Sequence, residues 1–394
     1  MNYFKVFTDK PPLEYKCGEE MKFKIQAFSD AGIIKHQKIL YILSGDDRER
    51  KEGLADSDSD GNIIIKASCR VPGFVRLIIK PLRSDCTPDD GFDPCEAGAG
   101  ANVSDIRYHG NIPADYDEYW AGIRKLISDF SPRLLIAEPY RKGVPEEFEC
   151  LDFRASAPQG AGTVSGYLTY PKSGGKYPLA VRFKGYGVSG CIEPFFEKNT
   201  VCAIINAHGI ENGFPPEATA EKYSHLAGYG FDEKENSAPE TSYWQGMIIR
   251  DLAGVKYLKS LPFWNGRDIK AEGGSQGAFQ AVHVAANDRY ITELFIEIPW
   301  FCDLHAEEYG YQPGWRPKPA KGLEYFDTAA AVMKVRCPVE MRAGLGDYVC
   351  PPATTMALYN SASAPKAIEY MQCRKHDFWP RKEFREIFRL EDMG

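Results

Sequence analysis

Ala271-Glu272-Gly273-Gly274-Ser275-Gln276-Gly277-Ala278-Phe279 carries the pattern Gly-x-Ser-x-Gly. Asp268-Ile269-Lys270-Ala271 ahead of it suits the end of a strand. Ala278 to Ala286 behind it is small and apolar at helical spacing. Strand, sharp turn, helix is the setting of a nucleophile elbow, where a serine hydroxyl is lifted above a sheet. The turn is tight, so its flanks must be small, and Gly273 and Gly277 are. The next N–H, that of Gln276, then points to where an oxyanion forms.

Working outward, strand-like and helix-like stretches alternate from about residue 150. Tyr177–Phe183, Val201–Asn206, Leu294–Ile298, Val339–Ala343 and Ala367–Met371 read as buried strands, and Trp244–Leu261 as an amphipathic helix. That alternation predicts an α/β fold with a doubly wound, mostly parallel sheet covered on both faces. Its active site should lie beyond the carboxyl ends of the strands.

Residues 1–105 read differently. Met21–Phe28 alternates apolar and polar residues, and Lys38–Leu43, Asn62–Ala67 and Gly73–Ile79 are further strand candidates. Short strands parted by polar turns predict a small, sandwich-like all-β N-terminal domain. Residues 86–113, rich in Gly, Asp and Pro, read as a linker whose Ala97–Ala101 run could pack against the second domain. A helix then opens at Pro113-Ala114-Asp115, with an apolar face through Tyr119, Trp120, Ile123, Leu126 and Ile127. The division expected is 1–105 and 106–394.

A serine needs a base within hydrogen-bond reach, and in this fold the order along the chain is Ser, acid, His. Two histidines lie well past the elbow helix. His376 follows the last strand and its loop should overhang the elbow; His305 follows an earlier one. His376 is favoured as base. Asp347, in Gly344-Leu345-Gly346-Asp347-Tyr348-Val349-Cys350-Pro351-Pro352, is the favoured acid, with Asp303 as competitor. The second oxyanion donor should leave an early strand, and the Tyr186 N–H in Lys184-Gly185-Tyr186-Gly187 fits. A plain loop tyrosine fits the sequence nearly as well.

The 394 residues carry a net charge of −7 at pH 7, with 43% hydrophobic and 26% charged residues. This speaks against nucleic acid or an anionic membrane as partner. No apolar run is long enough for a spanning helix. Eleven cysteines, with no Cys-x-x-Cys pair, read as reduced thiols and a cytoplasmic location. If the protein is exported, by a signal no longer attached, Cys86 and Cys95 would be the pair to bridge. His, Cys and Asp are not clustered at ligand spacing, so neither metal nor cofactor is expected. His208 and His283 are read as structural, residues 211–243 as a rim or lid, and Trp300, Phe301, Tyr311 and Trp315 as candidates for sugar stacking.

The stretches Arg182–Gly187, Gly273–Gly277 and Gly344–Thr354, with the helix beginning Pro113-Ala114-Asp115-Tyr116-Asp117-Glu118-Tyr119-Trp120, resemble the acetyl xylan esterase and cephalosporin-C deacetylase family of α/β-hydrolases. The resemblance covers about residues 112–394. It implies Ser275, Asp347 and His376 as triad, the Tyr186 and Gln276 N–H groups as oxyanion hole, and removal of acetyl groups from small acetylated sugars or xylo-oligosaccharides. The chain departs from the family at Asn206-Ala207-His208, where Arg-Gly-Gln is usual, and at Asp377, where Glu is usual. Short bacterial members form ring-shaped hexamers but lack a β domain like residues 1–105, so a homo-oligomer is left open. Two other readings stand beside the deacetylase: a serine hydrolase for another acyl ester or a peptide bond, and a carbohydrate-binding pseudo-esterase.

Overall fold

The computed structural model describes residues 1–191 and 193–392. Eight strands come first: β1 (Tyr3–Thr8), β2 (Met21–Ser29), β3 (Gly32–Ile34), β4 (Lys38–Gly45), β5 (Arg50–Asp56), β6 (Asn62–Ala67), β7 (Gly73–Leu82) and β8 (Cys95–Ala101). They make two four-stranded antiparallel sheets, one built around β2 with β1, β3 and β6, the other in the order β5-β4-β7-β8. The alternation seen in β2 places Met21, Phe23, Ile25 and Ala27 inward, buried with Ile39, Leu43, Leu77 and Ile79 of the facing sheet.

The remainder runs α1 (Tyr116–Asp129), β9 (Leu134–Pro139), β10 (Phe148–Ser156), β11 (Thr163–Pro171), β12 (Tyr177–Phe183), β13 (Val201–Ile205), α2 (Pro216–Lys222), α3 (Tyr243–Lys259), β14 (Trp264–Gly274), α4 (Gln276–Asn287), β15 (Glu293–Glu297), α5 (Thr328–Val332), β16 (Val339–Gly344), α6 (Pro352–Ser361), β17 (Lys366–Met371) and β18 (Ile387–Asp392). A single ten-stranded sheet has the order β18-β17-β16-β15-β14-β12-β13-β11-β10-β9. Its centre, from β17 to β13, is parallel. Antiparallel strands flank it on both sides. The chain runs outward from β12 to β13, then returns through α3 to β14 on the other side of β12. That reversal opens a crevice at the carboxyl ends of β12 and β14. α3 is more deeply placed than an amphipathic helix: it buries Arg250 and Asp251 as well as its apolar residues.

Two expectations need correction. Residues 86–113 are not a plain linker, because β8 lies within them and is buried along its whole length. Its composition, Cys-Glu-Ala-Gly-Ala-Gly-Ala, lacks the branched and aromatic residues that mark strands, and the reason is space. The alanines face the sandwich core, while a side chain on Gly98 would put its Cβ 2.7 Å from the Leu345 carbonyl oxygen. The Cys86–Cys95 bridge considered for an exported protein does not fit the fold either. Cys86 is exposed and Cys95 is buried, with its Sγ 3.3 Å from that of Cys373, just past β17.

Candidate active site

At the end of β14 the chain turns sharply through Ser275, whose φ of 55° and ψ of −122° lie where side-chain-bearing residues rarely go. The strain is held from both sides. The Ser275 N–H donates to the Glu297 carbonyl at 2.9 Å, and the Ser275 carbonyl accepts from Ala278 N–H at 3.0 Å. Only glycine fits the flanks: a Cβ on Gly273 would sit 2.3 Å from the Gly277 carbonyl, and one on Gly277 would sit 2.2 Å from the Phe183 oxygen. Gln276 begins α4, so its N–H belongs to the first turn, which a helix leaves without an internal acceptor.

Asp347 lies past β16 and is fully buried. Its Oδ1 accepts from the N–H groups of Val349 and Cys350, both at 2.9 Å. Its Oδ2 lies 2.9 Å from Nδ1 of His376, on the loop after β17. With Nδ1 facing the carboxylate, Nε2 is the ring nitrogen left to meet a reacting group. The Cys350 thiol lies close to this pair. Burial, then the charge of Asp347, push it well above the usual thiol range, while a hydrogen bond with the Ser275 side chain pulls the other way. Ligand atoms of Asp347, Cys350 and His376 fall within 4.8 Å of one another. A thiol so disfavoured as thiolate, beside a carboxylate already filled by N–H donors, suits an acid–base pair better than a metal ion. The contacts thus gather the Ser275 side chain, His376 and Asp347 in one place. Among the described residues no direct Ser275–His376 hydrogen bond is formed, and such bonds commonly tighten only when substrate is present.

Across the crevice, Lys184-Gly185-Tyr186-Gly187 leaves β12. Lys184 Nζ donates to the Gly187 carbonyl at 2.9 Å and to that of Gly185 at 3.3 Å. Burial pulls the Lys184 ammonium below its ordinary range. Gln280 Nε2 donates to the Lys184 carbonyl at 2.8 Å. His208 lies under the same loop, with Nε2 3.3 Å from the Gly187 oxygen and Nδ1 2.6 Å from the Tyr243 hydroxyl. Burial first, then Lys184 and Arg250, push its pKa down to about 3, so it is neutral here. Among the described residues no chain acceptor takes the Tyr186 N–H.

The competing candidates are engaged elsewhere. Asp303 pairs with His109 at 2.8 Å, and His305 with Glu308 at 2.7 Å. His283 is wholly buried, with Nε2 3.0 Å from the Phe326 carbonyl oxygen. Of the aromatics, Trp300 and Phe301 are core, and the Tyr311 hydroxyl donates to Pro72 O. Trp315 stays 41% exposed beside Tyr186 at 39%, their rings edge to face at 4.6 Å, so these two can meet a ligand. Phe231, from the expected rim, packs against Trp315. Lys184, Tyr229 and Gln280 were not singled out from the sequence. Lys184 lies in the quoted Arg182–Gly187 stretch but was given no role there, no motif marks Tyr229 or Gln280, and the roles of all three come from contacts between distant stretches.

The acetyl xylan esterase (AXE1) family profile matches residues 102–307 and 318–391. Acetyl esterase Axe7A of Xylanibacter ruminicola is 24% identical over 386 residues, covering 89% of this chain and 82% of that protein. Among solved structures, an acetyl xylan esterase from Paenibacillus sp. R4 superposes with a TM-score of 0.56 at 17% identity, over 71% of this chain and 94% of its own. Acetyl xylan esterase 1 from Thermoanaerobacterium sp. JW/SL YS485 gives 0.56 at 18%, over 72% and 94%. These likenesses establish the α/β-hydrolase fold. With the profile spanning most of its length, the chain belongs to the acetyl xylan esterase (AXE1) family and is a carboxylic ester hydrolase.

Proposed function

We propose that this protein is a serine esterase that removes acetyl groups from acetylated sugars or xylo-oligosaccharides through an acyl-enzyme. The observation that carries the reading is the Asp347–His376 pair at 2.9 Å beside an elbow serine at φ 55°. Ser275 Oγ attacks the acetyl carbonyl carbon while His376 Nε2 takes its proton. The oxyanion is held by the N–H groups of Tyr186 and Gln276. The bond to the sugar oxygen breaks, and His376 returns the proton to that oxygen. Water, deprotonated by His376 in turn, then releases acetate and restores Ser275. Asp347 fixes the imidazole tautomer and stabilises the imidazolium. The exposed faces of Trp315 and Tyr186 offer a sugar ring an apolar surface beside the reacting carbonyl.

Ser275→Ala tests the mechanism. It should abolish p-nitrophenyl acetate hydrolysis with the fold intact by circular dichroism, and full activity in that variant would remove the serine from the scheme. Acetate release across acetylated xylo-oligosaccharides, acetylated monosaccharides and cephalosporin C tests the substrate. Faster turnover of longer acyl esters than of acetyl esters would favour a different hydrolase.

A further inference from the structure

The two N–H groups read above as an oxyanion hole come from separate stretches, the loop after β12 and the start of α4. Two donors serve one oxyanion only if their spacing is held, since each must sit about 2.7–3.1 Å from where the charge develops. The β12–β14 ladder cannot hold it, because its last paired residues are Phe183 and Gly273. Gln280 ties α4 to Lys184, still two residues short of the Tyr186 donor.

Beyond that point the link is Tyr229, from the segment between β13 and α3. Its hydroxyl accepts from the Gly187 N–H at 3.1 Å and donates to Gln276 Oε1 at 2.6 Å. One atom thus joins the residue after the first donor to the side chain of the residue carrying the second. A hydroxyl can do this because it donates and accepts at once. Tyr229 is 6% exposed. Its ring stacks on Tyr186 at 4.7 Å and meets His208 edge on at 4.3 Å, so it cannot swing away without disturbing the loop. Gln276 is itself buried, and its Nε2 has no partner among the described residues. Tyr229 is therefore the hydrogen-bond anchor of that side chain.

We infer that Tyr229 is a positioning residue for the oxyanion hole, setting the separation of its two donors without touching substrate. The inference rests on the reading of Ser275, Tyr186 and Gln276 given above. Tyr229→Phe keeps the ring and removes the bridge. Gln276→Leu removes the other partner and keeps the backbone N–H. Each should lower kcat on p-nitrophenyl acetate about tenfold, less than outright loss of a donor costs, with KM changed less than about twofold. Inhibition by a trifluoromethyl ketone, which forms an oxyanion on the serine, should weaken by the same factor as kcat. The double variant should be no slower than the slower single one, because both remove one interaction.

A Tyr229→Phe enzyme with parental kcat, or losses that multiply in the double variant, would overturn the bridge. So would a kcat loss with inhibitor binding unchanged. If the phenylalanine variant does not fold, Gln276→Leu carries the same kcat and inhibitor test. Ser275→Ala is run alongside. If it stays active, the serine reading falls and this inference with it. If it is dead while Tyr229→Phe behaves as parent, this inference alone falls.

Discussion

At Asp347 each carboxylate oxygen has its own work: Oδ1 takes the Val349 and Cys350 N–H groups, and Oδ2 faces His376. Asp347→Asn keeps the shape but puts an amide where one of these bonds needs an acceptor. If the NH₂ faces His376, the imidazole is held in the wrong tautomer. The expected loss in kcat is about 10³–10⁴-fold, the scale seen when a triad acid becomes its amide, measured on p-nitrophenyl acetate with the melting curve as control for folding. A loss under about tenfold would show that His376 does not depend on Asp347. The turn at Ser275 and the meeting of Asp347 with His376 were legible in the sequence because each follows a strand in a fixed order, and Gly273 and Gly277 announce the turn. Tyr229 was not legible. It is 47 positions from Gln276, and nothing local distinguishes it from the other tyrosines of its segment.

At the scale of the element, the loop after β12 is shaped by buried polar groups rather than by a ladder. Lys184 and His208 converge on the Gly187 carbonyl. Neutral His208 suits this place, with one nitrogen donating to that carbonyl and the other accepting from Tyr243. A protonated ring would lose the acceptor and face Lys184 and Arg250. The pH dependence follows from that. The folded pKa is pushed down to about 3, whereas an unfolded histidine titrates near 6.5. Between these values the unfolded chain binds the extra proton, so this contribution is full above about pH 6.5 and is lost as pH falls toward 3. Urea melts at pH 7 and pH 4.5 should show the parent losing up to about 2.5 kcal/mol more stability than His208→Gln. Equal losses would mean that His208 is not held neutral. β8 shows why other elements stayed hidden. A strand covered on both faces at close range needs Gly and Ala, and those residues read as a loop when neighbours are unknown.

At the scale of the whole molecule, the N-terminal strands meet the loops that carry Asp347 and His376. Lys375, next to His376, pairs with Glu96 of β8 at 3.2 Å. A Cβ on Gly346, next to Asp347, would lie 2.0 Å from the Glu96 oxygen. The Arg76 guanidinium of β7 lies 4.1 Å over the Tyr348 ring. Asp46, after β4, accepts from the Gln312 N–H near Trp315. We therefore propose that residues 1–105 act as a brace for the site rather than as a separate sugar-binding module. Gln372 is the sharpest place to test it. Its side chain accepts from the Gly98 N–H at 3.1 Å and donates to the Gly98 carbonyl at 2.7 Å, completing β8 as another strand would. Gln372→Ala leaves both backbone groups buried and unpaired, at about 1–3 kcal/mol for each. Part of that strain should relax by moving the loop that holds His376, four residues on. The expected result is a lower melting temperature together with a kcat reduced about tenfold and an unchanged KM, because the surface proposed for the substrate at Trp315 and Tyr186 is untouched. Gln372→Glu tests the same contact from the other side. It can accept from the Gly98 N–H but, when ionised, cannot donate to the carbonyl, so its kcat relative to the parent's at the same pH should recover as pH falls and the carboxyl is protonated. A Gln372→Ala enzyme that melts early but turns over at the parental rate would make β8 a stabilising strand with no hold on His376.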